Sequence, residues 1–142
     1  MYADTFRIPK PLLDRVRRTV RENGMEDRLC AGVLLGLSGG ADSVFLLYTL
    51  LSLRAFYGGF PIVCAHVHHG IRGKEADRDA AFCSALCDSL RVPFYLLRAE
   101  VPAFAKERGI GEEEAGRILR YQKFREIICS RNDIRTIAVA HN

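Results

Sequence analysis

No apolar run approaches the roughly 18 residues that a membrane-spanning helix needs. The opening stretch, Met1-Tyr2-Ala3-Asp4-Thr5-Phe6-Arg7, lacks the basic-then-apolar order of a secretory leader, so the expected location is the cytoplasm. Internal repeats and low-complexity tracts are missing, and the composition excludes a disordered chain, a collagen-like repeat and a coiled coil. The five cysteines, Cys30, Cys64, Cys83, Cys87 and Cys129, form no CxxC pair and are odd in number. A disulfide framework and a zinc cage are therefore not expected; buried free thiols in a reducing compartment are.

What is present suits one soluble globular domain: 142 residues, 49% hydrophobic and 27% charged. Lys and Arg total 21 against 17 Asp and Glu, a net charge of +4. Most of the cations are arginines, which suit forked phosphate contacts. A charge of this size permits a polyanionic partner, and a solvated surface explains it equally well.

Apolar periodicity predicts a helix over residues 11–23, with Leu12, Leu13, Val16 and Val20 on one face and Gly24 as its stop. Arg15, Arg17, Arg18 and Arg21 take the opposite face, either as a solvated surface or as a steering patch for nucleic acid. Continuous apolar runs predict strands buried on both faces at residues 33–37 and 61–66, and further strands follow at 93–97 and 136–140. Helices are predicted between them at 44–53, 75–90, 102–107 and 112–130, with a loop at 68–73. In the helix over 75–90, Ala76, Ala80, Cys83, Leu86, Cys87 and Leu90 point inward. This alternation implies an α/β fold: an open, mainly parallel sheet with helices on both faces. Ligands of such sheets bind beyond the carboxyl ends of the strands. The segments predicted there are residues 38–43, 66–72 and 140–142, the last being Ala140-His141-Asn142.

Leu37-Ser38-Gly39-Gly40-Ala41-Asp42-Ser43 joins the first predicted strand to its helix. Two glycines allow a tight turn that brings backbone N–H groups close to an anion, and the helix N-terminus adds its positive end. Ser38 and Ser43 supply hydroxyls. A carboxylate beside a phosphate nest is repulsive unless a cation lies between, so Asp42 is the expected Mg²⁺ ligand. The string is neither a Walker loop nor a GxGxxG loop. A plain Gly-rich turn with Asp42 as N-cap is the competing reading.

Ser38-Gly39-Gly40-Ala41-Asp42-Ser43 resembles the SGGxDS motif of the PP-loop ATP pyrophosphatase superfamily. Three further segments narrow the resemblance. Ala65-His66-Val67-His68-His69-Gly70-Ile71-Arg72 is similar to the AHVxHGLR stretch of tRNA(Ile)-lysidine synthetases. Glu113-Glu114-Ala115-Gly116-Arg117, followed by Arg120-Tyr121 and Phe124, resembles their EEAAR-x-x-RYxxF helix. Ile137-Ala138-Val139-Ala140-His141 resembles the strand leading into AHHxDDQxET. Asn142 departs from that last motif, and its acidic segment is not among the 142 residues.

The resemblance implies an adenine nucleotide α-hydrolase-like, Rossmann-like PP-loop fold. It implies one domain over residues 1–142, with a helical segment at 1–30 and a nucleotide-binding core at 31–142, as part of a longer catalytic unit. It implies ATP bound by Ser38, Gly39, Gly40, Ala41, Asp42, Ser43 and His66, with Mg²⁺ on Asp42. The implied reaction joins L-lysine to C2 of the first anticodon cytidine of tRNA(Ile) bearing CAU, through an adenylate, with Asp42, Arg117 and Arg120 as participants. A second copy of the chain is a further expected partner, and the 142 residues alone are not expected to complete the reaction. A thiolating PP-loop tRNA enzyme and a noncatalytic ATP-binding module are the alternatives; the first usually carries CxxC pairs.

The residues also have plainer readings. Glu113, Arg117, Arg120 and Phe124 are spaced by four, three and four, which places them on one helical stripe. An exposed ion pair accounts for the charged members as well as a phosphate contact does, while Tyr121, Phe124 and Ile128 read as core. His66, His68 and His69 lack any HxHxDH or HExxH spacing for zinc. His66 ends the second predicted strand, either as a contact to the base or ribose of a nucleotide or as a side chain packed at the sheet edge, and His69, Gly70 and Arg72 shape the loop over the site.

Overall fold

A computed structural model describes residues 8–70 and 73–140. Its helices are α1 (Lys10–Glu22), α2 (Glu26–Cys30), α3 (Ala41–Phe56), α4 (Lys74–Leu90), α5 (Val101–Arg108) and α6 (Glu112–Ser130). Its strands are β1 (Val33–Gly36), β2 (Ile62–His68), β3 (Phe94–Arg98) and β4 (Thr136–Val139). All four strands pair in parallel in the order β3-β2-β1-β4. The chain thus steps outward from β1 to β3 and then crosses to the other side of β1. That reversal opens a crevice beyond the carboxyl ends of β1 and β4, where open α/β sheets take ligands.

Alternation along the strands divides the core. Val33, Leu35, Ile62 and Cys64 pack with Leu47, Leu50 and Leu53 of α3 and Cys83, Leu86 and Cys87 of α4. Leu34, Val63 and Ala65 pack against Phe124 and Ile127 of α6 on the opposite face. Helices therefore cover both faces, as the continuous apolar strands require. No helix among the described residues is long and apolar enough to cross a membrane.

The structure differs from the sequence expectations in several places. Helix α2 leaves no period to detect in the sequence, because its five residues bury Leu29 alone. Strand β2 runs on to His68, because His68 pairs with Arg98 of β3; the loop predicted from 68 starts later. Helix α3 begins at Ala41 with Gly40 as its cap residue, so Asp42 lies in the first turn and is not the N-cap. Arg17 leaves the solvated face of α1 and stacks over the Phe56 ring, 3.9 Å from its centroid. Cys64, Cys83 and Cys87 are buried as expected, but Cys30 and Cys129 are exposed.

One glycine fixes the seam between β1 and β4. Gly32 has φ +92°, and its carbonyl accepts the N–H groups of Arg135 and Thr136. A Cβ there would run into the carbonyl oxygen of Asp133.

Candidate functional site

The loop after β1 is braced by its own hydroxyls. The Ser43 hydroxyl donates to the Gly40 carbonyl at 3.0 Å and accepts from the Ser38 hydroxyl at 3.0 Å and the Ser38 N–H at 3.2 Å. Gly40 N–H closes the network on Ser38 Oγ at 3.2 Å. Both hydroxyl protons are thereby held inside the loop, which differs from the outward donors expected of them. What the loop offers outward is the start of α3, whose first amides have no intrahelical acceptor. Gly39, at φ +96°, lets the turn lie over α4: a Cβ would stand 3.5 Å from Cys83 Sγ and 3.6 Å from Asp79 Cβ.

This loop borders an open cavity of about 620 Å³, within the usual range of ligand pockets. Its walls are the carboxyl ends of three strands, the start of α4 and the middle of α6. Among the expected residues, Ser38, Ser43, His66 and Arg120 line it. Gly39, Gly40, Ala41 and Asp42 lie between the two lining serines, with Asp42 exposed in the first turn of α3. Arg117 does not form part of the wall. The face of α6 turned inward carries Arg120 and Phe124, with Gly116 against the His69 ring, while Arg117 is exposed. The expected stripe thus splits by one helical step. Arg72, His141 and Asn142 lie outside the described residues.

The histidines at the end of β2 take distinct roles. His66 is buried, and its Nδ1 lies 2.8 Å from the Leu37 carbonyl, which only accepts; Nδ1 therefore carries the proton. His68 shows the opposite tautomer. Its Nδ1 accepts the Gly70 N–H at 3.1 Å, and its Nε2–H donates to Asp77 at 3.0 Å. This pair ties the end of β2 to the first turn of α4. Burial, followed by the Arg120 charge, holds His69 below the ordinary histidine pKa. Burial, then Cys87 and Asp79, pushes the Cys83 thiol up to about 12, so a protonated thiol lies beneath the loop.

Sequence reasoning missed Glu75 and Asp79, which line the cavity from α4, and the His68–Asp77 pair. The acids are one helical turn apart at the start of a helix, and such placement alone reads as an ordinary complement to the helix dipole. No group of three or more His, Cys, Asp or Glu side chains is gathered for a metal among the described residues. A divalent ion here would have to share its coordination with a ligand's phosphate oxygens, the usual arrangement for Mg²⁺.

Similarity to known proteins agrees with this geometry. Curated relatives named tRNA(Ile)-lysidine synthase include that of Caldanaerobacter subterraneus subsp. tengcongensis, 37% identical over 131 residues, and one from Porphyromonas gingivalis, 43% identical over 136 residues. Each match covers 92% of this chain but only 27% and 28% of the respective relative, so the chain spans little more than a quarter of their length. The fold is similar to that of the U34-tRNA thiolase NcsA from Methanococcus maripaludis, with a TM-score of 0.61 and 24% identity over 78% of this chain and 38% of the other. It is also similar to the NH3-dependent NAD synthetase of Campylobacter jejuni, with a TM-score of 0.59 and 22% identity over 94% of this chain and 55% of the other. The sequence model of the PP-loop domain matches residues 13–142, nearly the whole chain, and with the braced loop at the sheet's switch point this makes the chain a member of the PP-loop domain family.

Proposed function

We propose that this chain is the ATP-binding portion of a lysidine-forming ligase. The reading gives residues 1–142 as one PP-loop domain of a longer catalytic unit. Its carrying observation is the Ser38–Ser43 loop, cross-braced at the N-terminus of α3 and opening on a cavity at the carboxyl ends of β1, β2 and β4. The names of the relatives supply the substrate class.

In this reading the triphosphate rests on the amides of Gly39, Ala41, Asp42 and Ser43, helped by the helix dipole. Arg120 faces the same cavity and compensates charge on the phosphates; Arg117, being exposed, takes a contact outside the cavity. Asp42, with an exposed carboxylate in the first turn of α3, fits a Mg²⁺ ligand shared with phosphate oxygens. A bound Mg²⁺ would offset charge on the leaving pyrophosphate. The C2 oxygen of the first anticodon cytidine attacks the α-phosphorus, and pyrophosphate leaves. The ε-amine of L-lysine then attacks C2 and loses a proton, and AMP departs with the former C2 oxygen. Lysidine in tRNA(Ile) bearing CAU is the product. A homodimer and a cytoplasmic location belong to the same reading.

Two measurements test it. Titration of the chain with Mg-ATP is expected to show saturable binding. The full-length protein, given ATP, labelled lysine and tRNA(Ile), is expected to incorporate lysine and release pyrophosphate, while the 142-residue chain alone does not. A folded full-length protein that binds ATP and incorporates no lysine would overturn the ligase assignment and leave a nucleotide-binding module.

A further inference from the structure

We infer that His66 reads the nucleoside half of the ligand as a tautomer-locked hydrogen-bond acceptor, selecting for an N–H or O–H donor at that point of the cavity. The inference rests on the nucleotide reading above and deepens it.

The lock begins at Leu37. Its carbonyl lies 2.8 Å from His66 Nδ1 and 3.7 Å from Cys83 Sγ, and Cys83 Sγ is also 3.7 Å from Nδ1. A carbonyl cannot donate, so a bare Nδ1 at that distance would set two lone pairs against each other. Nδ1–H donating to Leu37 resolves the contact. The Cys83 thiol donates to the same carbonyl, and neither donor competes with the other, because a carbonyl oxygen has two lone pairs. Leu37 is itself held, its N–H bonded to the Ala65 carbonyl at 2.8 Å. The imidazole edge cannot turn over without abandoning this arrangement.

In the Nδ1–H tautomer of His66 the lone pair lies on Nε2. The residue is only 7% exposed. Its Nε2 has no hydrogen bond within the described residues and is not among the side-chain nitrogens sealed from solvent without one. The space His66 borders is the cavity, so Nε2 opens there. A lone pair in that position welcomes an amine or hydroxyl proton and repels a carbonyl or phosphate oxygen. His66 follows the end of β1 by one hydrogen bond to Leu37, next to the loop, which places it beside the ribose or base of a nucleotide whose phosphates lie on Ser38–Ser43.

Calorimetric titration of the chain with ATP, 2′-deoxy-ATP, 3′-deoxy-ATP and purine riboside triphosphate, which lacks the 6-amine, identifies the donor. Wild-type protein is expected to bind one of the three analogues about three- to tenfold more weakly than ATP, the weight of one hydrogen bond. His66→Asn keeps an amide N–H for Leu37 while removing the Nε2 acceptor. In it, ATP is expected to weaken by the same factor and the discrimination to vanish. His66→Phe, checked for fold by circular dichroism, gives a second removal of the acceptor. Equal binding of all four nucleotides by the wild type, or discrimination that survives in a folded variant, overturns the role of His66 and leaves the nucleotide site standing. Failure of the wild type to bind ATP overturns both.

Discussion

Removing a single hydroxyl from the loop should cost both stability and ligand affinity. Ser43, 3% exposed, joins Ser38 and Gly40 through three hydrogen bonds at 3.0–3.2 Å. At about 1 kcal/mol net each, Ser43→Ala forfeits about 3 kcal/mol at most. Ser38 and Gly40 are exposed, so water takes over part of what they lose. Alanine also forms helix better than serine by about 0.5 kcal/mol. The expected net loss is about 1–2 kcal/mol, which for 142 residues lowers Tm by about 3–10 °C. Affinity follows from preorganisation. If the unbraced loop keeps its closed shape a tenth of the time, Kd for Mg-ATP rises about tenfold. Ser38→Ala breaks only two of the bonds, on an exposed residue, and should fall between wild type and Ser43→Ala. Urea unfolding with an unchanged m-value, paired with calorimetric titration, measures both effects. A Ser43→Ala protein with wild-type midpoint and wild-type Kd would refute the bracing argument.

Three other outcomes are expected. Gly32→Ala forces a Cβ onto the Asp133 carbonyl at φ +92° and should lower the unfolding free energy by about 2–4 kcal/mol, read from the urea midpoint; a loss under about 1 kcal/mol would show that the β1–β4 seam yields easily. In native protein a thiol reagent should label Cys30 and Cys129 quickly, and Cys64, Cys83 and Cys87 only after denaturant, because those three are buried and the Cys83 thiol is pushed up to about 12. Fast reaction of a third thiol would contradict the buried arrangement. Asp42→Asn should weaken ATP binding in magnesium while leaving or improving it in EDTA; equal affinities with and without the carboxylate in magnesium would remove Asp42 from the metal role.

The strands were legible because burial on both faces leaves an unbroken apolar run, and Val33-Leu34-Leu35 and Ile62-Val63-Cys64-Ala65 show it. The loop was legible because its glycines and acid stand between a strand and a helix. Position on a helix was harder. Arg117 and Arg120 look equivalent in sequence, yet three residues correspond to about 300° of turn, enough to leave one outside the cavity and one in its wall. The aromatic partner of Arg17 lies on another helix, so its apolar lodging could not be read locally. The end of β2 was set by the pairing of His68 with Arg98, a long-range contact that no periodicity records. The tautomers of His66 and His68 likewise depend on a carbonyl and an amide delivered by the fold.

The anchoring of Leu37 fixes one wall of the cavity through several bonds at once. On one side the main chain is pinned at its carbonyl by an imidazole and a thiol and at its amide by the neighbouring strand. On the other, the α6 wall presents the long guanidinium arm of Arg120 and the Phe124 ring. A bulky substituent aimed at β1 therefore meets main chain that can shift only by breaking these bonds.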